Sequence, residues 1–331
     1  MRSAVLVCAA ALSACGASIS SPAAAPPQTL AVAGASPLAD EADRSPSWIS
    51  RDAKNAVELL YVSDLRGFAV HIYDFPSLKP AGKLTGFDEP QGLCSDTAGN
   101  VWVTNTLTYQ IVEFAHGKTK PIAKLADPLG LPVGCAIDPR SGDLAVTNVA
   151  DFSGAASVLV YKHATGTPSA YGNSNQVADY FAGYDAKGNL YVSGNGSKGA
   201  YALTVLRNGS DSLASVKVSG ATIGFPGTVA WHNTTLVLGD QSCKKKATSC
   251  LYRASVTGLT ARVTASVSLG GSCDVAEVWV GTAQIAGGDD EANCRYGHSS
   301  VDRWPYPAGG APSASTAGVG MPVGATVSRR G

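Results

Sequence analysis

The 331 residues carry 25 basic and 25 acidic side chains, so the chain lacks the positive excess on which nonspecific nucleic-acid binding depends, and nucleic acid is excluded as a partner class. Only 15% of residues are charged, while 37 glycines and 18 prolines supply the turns of many short strands rather than the gaps between long helices. Helical spacing of apolar residues is hard to find after residue 57.

The chain opens on Met1-Arg2 and an apolar run from Ala4 to Leu12, too short to cross a bilayer. This pattern predicts a signal peptide over residues 1–14 and export. Its end, Leu12-Ser13-Ala14-Cys15, resembles the lipobox of bacterial lipoproteins. The resemblance implies cleavage before Cys15, acylation of that cysteine, and a protein lipid-anchored at the bacterial cell envelope. Residues 15–56 are rich in Ala, Ser and Pro, with a small acidic patch at Asp40, Glu41 and Asp43. Such a segment buries too little apolar surface to offset its ordering entropy, which predicts a disordered tether.

From residue 57 to 331 one phrase organises the chain. Asp96-Thr97-Ala98-Gly99-Asn100-Val101-Trp102-Val103-Thr104-Asn105 returns in variant form from Asp138 to Asn148 and from Asp185 to Ser193. A period of about 45 residues in a strand-rich chain reads as propeller blades. In the repeat around Asp96, residues 91–95 form an inner strand, 97–100 a tight turn, and 101–104, 109–114 and 121–125 three further strands. Its core, Asp-x-x-Gly-Asn-hydrophobic-x-Val-x-Asn, resembles the NHL type of propeller repeat.

Inner strands can be counted by Pro-x-Gly or its degraded forms, at Pro90-Gln91-Gly92, Pro132-Val133-Gly134, Ala182-Gly183-Tyr184-Asp185, Pro226-Gly227-Thr228, Cys273 to Trp279, and Pro322-Val323-Gly324. The last has no second strand behind it, and Leu59-Leu60-Tyr61-Val62 has no inner strand before it. The expectation is an all-β, six-bladed β-propeller whose C-terminal strand completes the first blade and removes the open edge.

Of eight cysteines, Cys8 leaves with the signal and Cys15 carries lipid. Six remain, an even number in an exported chain, which favours disulfides. The candidate pairs are Cys243 with Cys250 across a lysine loop, Cys273 with Cys294 in the last full blade, and Cys94 with Cys135 on neighbouring inner strands.

Second strands end in Asp64, Asn105, Asn148 and Asp240, with Asn195 and Asp289 one place later in their repeats. These six approach one mouth of the channel. Two roles fit: a crown of oxygen ligands for a hard cation, or side chains that cap their own upper loops. A group present in every blade fits a building rule better. The cluster least like the repeat is the loop of Asp289, Asp290 and Glu291 with Arg295 and His298. Propeller enzymes of the gluconolactonase-like and streptogramin-lyase-like families share the blade rhythm, and that resemblance implies a divalent cation or a His and Glu near the mouth. The closing strand lacks the early Glu of the first, and a partner for His298 and Glu291 is missing for the second. The expected function is therefore a monomeric binding or interaction platform for a protein, glycan or small ligand, presented on the upper face. No cofactor is expected in that role; a divalent cation belongs only to the hydrolase or lyase alternative.

Overall fold

The computed structural model describes residues 45–151, 154–243, 248–290 and 299–331. Short runs of Val, Leu, Tyr and Thr broken by Gly, Asn and Asp favour strands and tight turns, and they assemble into six sheets set around one axis. Blade one holds β1 (Trp48–Ile49), β2 (Glu58–Asp64), β3 (Ala69–Asp74) and β4 (Lys79–Thr85). Blade two holds β5 (Pro90–Ser95), β6 (Val101–Asn105), β7 (Gln110–Phe114) and β8 (Pro121–Ala126). Blade three is β9 (Gly130–Ile137), β10 (Leu144–Asp151), β11 (Ser157–Tyr161) and β12 (Ser169–Tyr171). Blade four is β13 (Ala178–Tyr184), β14 (Leu190–Asn195), β15 (Tyr201–Leu206) and β16 (Leu213–Ser215). Blade five comprises β17 (Lys217–Ser219), β18 (Pro226–His232), β19 (Thr235–Asp240), β20 (Cys250–Thr257) and β21 (Thr260–Ser268). Blade six comprises β22 (Val278–Val280), β23 (Gln284–Asp289), β24 (Ser300–Pro305) and β25 (Ala314–Ala317).

The ring closes as the repeat count requires. The final strand β26 (Pro322–Arg329) lies antiparallel to β2, from Glu58 opposite Arg329 to Asp64 opposite Pro322. Arg329 Nε donates to Glu58 Oε1 at 2.7 Å at one end of this seam. The protein is a six-bladed β-propeller, and every strand of the ring lies between Trp48 and Arg329.

Each blade is covered on both faces by its neighbours, so its central strands are apolar without alternation. Leu59, Leu60, Tyr61 and Val62 are all fully buried. Because successive side chains point to opposite faces, Leu59 and Tyr61 pack toward blade two, against Leu93 and Val103. Leu60 and Val62 pack toward blade six, against Ala286 and Val301. The same division repeats around the ring, so the core is a set of layers between blades rather than one central mass.

An inner strand has a partner on one side only, and its free edge must be satisfied some other way. Here hydroxyls of one blade bond the inner strand of the next. Ser63 donates to Gln91 O, Thr106 to Pro132 O at 2.8 Å, Thr147 to Tyr180 O at 2.7 Å and Ser193 to Gly227 O at 3.2 Å. Val278 N then donates to Thr228 Oγ1 at 2.6 Å, and Glu277 N to Val323 O at 3.1 Å. These bonds latch each blade to its neighbour. The glycine of Pro-x-Gly follows from the same crowding: a Cβ on Gly134 would strike Tyr180 O, and one on Gly324 would strike Gln91 O.

Three features depart from the sequence expectation. In blade four the inner strand starts earlier: Asp179 faces Gly194 as Pro90 faces Asn105, and Tyr180 O takes the Thr147 hydroxyl as Gln91 O takes that of Ser63. The triplet equivalent to Pro-x-Gly is thus Asp179-Tyr180-Phe181, while Tyr184 ends the strand and Asp185 opens the following turn. In blade six residues 273–277 are not strand, because the Asp289 carboxylate holds the amides of Cys273 and Asp274. Finally, β1 pairs with β4 outside blade one, so the ring's first paired residues lie within the stretch read as tether.

Candidate functional site

The repeated Asp-x-x-Gly-Asn phrase is a self-contained turn on what we term the lower face. Asp185 accepts bonds from Lys187 N, Asn189 N and Asn189 Nδ2 at 2.7–2.9 Å, and Gly188 takes the left-handed conformation at φ +79°. Asp96 binds Asn100 in the same way.

On the upper face, four of the six channel-mouth residues, Asp64, Asn105, Asp240 and Asp289, hold the connections that lead into the inner strands. Asp64 accepts from Gly320 N and Met321 N at 2.7 and 2.9 Å, and from Gly67 N at 2.8 Å. Asn105 Oδ1 accepts from Asp88 N at 2.7 Å. Asp240 Oδ1 accepts from Gly224 N, Phe225 N and Ser242 N at 2.9–3.2 Å. Asp289 does the same for Cys273 and Asp274 at 2.8 and 2.9 Å. Asn148 donates to Ser157 Oγ at 3.3 Å. Burial raises the Asp64 carboxyl, but bonds from His71, Met321, Gly320 and Gly67 outweigh it and bring the group down to about 2. Unpartnered buried oxygens remain on Asn148, Asn195 and Asp240.

Two carboxyls that the motif count passes over sit deeper. Asp179 is fully buried on β13, neither of its oxygens has a hydrogen-bond partner, and burial raises it to about 7. Glu277 lies on the corresponding stretch of blade six, just before Val278 opposite Gly287, and its amide bonds Val323 O as that of Thr228 bonds Ala276 O, which puts it at the glycine place of Pro-x-Gly. Its Oε2 accepts from Leu93 N at 3.1 Å, so the side chain reaches past the closing strand to blade two. Burial raises Glu277 to about 8 against the pull of the Leu93 and Ala325 amides. The sequence signal is a carboxylate inside the inner-strand motif, at the proline place in Asp179 and the glycine place in Glu277, and the first becomes readable once Asp179, not Ala182, is aligned with proline.

Cys94 bonds to Cys135 and Cys243 to Cys250. Cys273 is also disulfide-bonded, and the partner expected for it, Cys294, lies outside the described residues, as do Glu291, Arg295 and His298. Asp290 accepts from Ser299 Oγ at 3.1 Å. Its neighbour Asp274 is raised to about 7, by burial first and the Asp290 charge second. Among the described residues one acid and cysteine group, Asp240 with Cys243 and Cys250, has the spacing of a metal site, but its sulfurs are bonded to each other.

Grooves with mixed aromatic and charged walls open on the lower face, between the turns of adjacent blades. The one between blades three and four holds about 430 Å³ and is lined by Tyr171, Tyr184, Arg140, Lys162, Arg207 and Asn208 together with Asp138 and Asp143. The next, between blades four and five, holds about 320 Å³ and presents Tyr191, Trp231, Lys187, Asn189, Asn233 and the same Arg207. The Tyr191 and Trp231 rings stand 5.1 Å apart. Arg140 Nη1 and Asn208 Nδ2 both donate to Lys187 O, at 2.6 and 3.1 Å, and so fix the ridge between the grooves. Arg207 makes no ion pair or side-chain hydrogen bond among the described residues.

The chain matches no protein-family model, and no curated protein matches it. Solved structures share its fold. A chain of a nidogen/laminin complex superposes with a TM-score of 0.64 at 13% identity, covering 82% of this chain and 99% of that one. A protein of unknown function from Bacteroides caccae gives 0.62 at 13% identity over 83% of this chain and 100% of its own. A functionally unknown protein from Desulfotomaculum acetoxidans gives 0.56 at 9% identity, covering 82% and 99%. At these identities the likeness concerns architecture alone.

Proposed function

We propose that this chain is an exported, lipid-anchored protein of the bacterial cell envelope, with NHL-type blades, whose propeller binds an anionic glycan as a monomer in the lower-face grooves of blades three to five. Its bonded cysteines, four of them in two defined pairs, favour an oxidising, extracytoplasmic compartment. No helix among the described residues is long and apolar enough to cross a membrane, and lipid at Cys15 would supply the attachment. The observation that carries the binding reading is Arg207, a guanidinium without a carboxylate partner that stands between two grooves walled by Tyr and Trp. Sugar faces stack on such rings, and a fixed guanidinium fork takes a carboxylate or sulfate in two parallel bonds. The groove volumes lie near the lower end of the range for small-ligand sites.

Isothermal titration calorimetry with uronic-acid and sulfated oligosaccharides tests it. Arg207→Ala and Trp231→Ala should each weaken binding by about ten-fold or more, with thermal stability little changed for the exposed Arg207. Equal affinity of both variants and the parent, or preference for neutral sugars, would sink the reading.

A second reading is favoured by the buried acceptor oxygens of Asp179, Asn148, Asn195 and Asp240 that lack protein partners. Hard oxygens of this type suit a divalent cation, as a propeller hydrolase or lyase would use. Calcium that co-purifies with the chain, and is lost in Asp179→Asn, would move the balance to this alternative.

A further inference from the structure

The rim between blades one and two carries a surface that neither the grooves nor the channel uses. Two large apolar side chains stand out from it, Trp48 at 48% and Ile122 at 54% exposure. Trp48, Ile49 and Ile122 line a depression of about 580 Å³ with Lys54, Lys118 and Lys120, and no acidic side chain lines it. Beside it Arg330 N donates to Val57 O at 2.8 Å, and the charges of Arg330 and Lys118 both act on His116. Among the described residues the acids nearby in sequence are Asp52 on the exposed turn and Glu58, which is paired with Arg329; Asp40, Glu41 and Asp43 precede them in the sequence. An aromatic and aliphatic tip ringed by lysines, on a chain of zero formal net charge, is a local concentration of the two attractions that seat a protein on an anionic bilayer.

The chain enters the ring at this same place. Ser47 Oγ accepts from Thr85 N at 2.9 Å, and β1 follows at once. About 30 residues separate Cys15 from Ser45 in the sequence. A lipid at Cys15 would therefore hold this rim, rather than the opposite one, within reach of the membrane.

We propose that the propeller docks on an anionic lipid surface through Trp48, Ile122 and the lysines at positions 54, 118 and 120. The ring then stands on edge. In a six-bladed ring the boundary opposite blades one and two is that between blades four and five, so the Tyr191 and Trp231 groove faces away from the bilayer and stays open. The orientation rests on the reading of Cys15 as the anchor; the docking itself does not.

Amide hydrogen exchange on the full chain tests this, with phosphatidylcholine vesicles compared with vesicles that also contain phosphatidylglycerol. The expected result is protection of residues 47–54 and 117–122 on the anionic vesicles only, weakened by salt. Lys118→Glu with Lys120→Glu should remove it, each lost lysine weakening the contact about five-fold, and Trp48→Ser with Ile122→Ser should do the same. Identical exchange of the parent on both vesicle types overturns the proposal without recourse to any variant. Protection of the same segments without vesicles, which reports self-association, also overturns it. Acyl labelling of Cys15 is read separately, so a failed anchor and a failed docking surface give different results.

Discussion

At the scale of single residues, Asp64 shows what a recurrent acid does in this ring. Its carboxylate gathers three amides and His71, and the amides of Gly320 and Met321 belong to the segment that brings in the closing strand. A carboxyl held near 2 in the folded state and near 3.8 when unfolded stabilises the fold fully above pH 4. That contribution fades as pH falls from about 4 to about 2, because the folded state then takes up its proton later than the unfolded chain. The shift corresponds to about 2 kcal/mol. Asp64→Asn should lower denaturant stability by that order at pH 6, and the gap to the parent should close by pH 2; a gap independent of pH would refute the electrostatic account. The acid itself was legible from its place in the repeat. Its bonding partners were not, since Gly320 and Met321 lie some 256 residues away in sequence.

Among the elements, β26 bears the most on integrity. It supplies the inner edge of blade one, receives the latch from Glu277 N and, through Gly324, packs on blade two without room for a side chain. Removal of residues 320–331 would bare the buried Leu60 and Val62 together with the β2 edge. The truncated chain should lose cooperative thermal unfolding or aggregate. Retention of the parent melting temperature would refute closure by this strand. The repeat count placed this strand without the structure. It misplaced the inner strand of blade four by three residues, because Asp179-Tyr180-Phe181 has neither the proline nor the glycine and Ala182-Gly183 imitates the pattern. The slip stays within the one strand β13, so the blade was counted correctly while Asp179 was overlooked.

Across the whole molecule, Asp179, Asp274 and Glu277 give the ring an unusual response to pH. They keep their protons to about 7, 7 and 8 in the folded state, against 3.8 and 4.5 for free carboxyls. Between those values the folded protein binds more protons than the unfolded chain, so stability should fall as pH rises from about 4 to about 8. Each group contributes a slope of up to about 1.4 kcal/mol per pH unit. Asp179→Asn and Glu277→Gln should flatten the curve measured by denaturant titration; a parent whose stability rises over that interval would contradict the burial of neutral acids. The function reading also changes at this scale. Differences between repeats pointed to the upper loops, whereas the aromatic grooves among the described residues open on the lower face, where turns of adjacent blades meet. Blade number, the closing strand and the Cys94 with Cys135 and Cys243 with Cys250 pairs were written in local spacing, since turn chemistry and strand length act over a few residues. Which side chains face one another across blades, and hence that Arg207 stands between two aromatic walls and Glu277 reaches blade two, depends on packing between segments far apart in the chain. That was decided only when the ring closed.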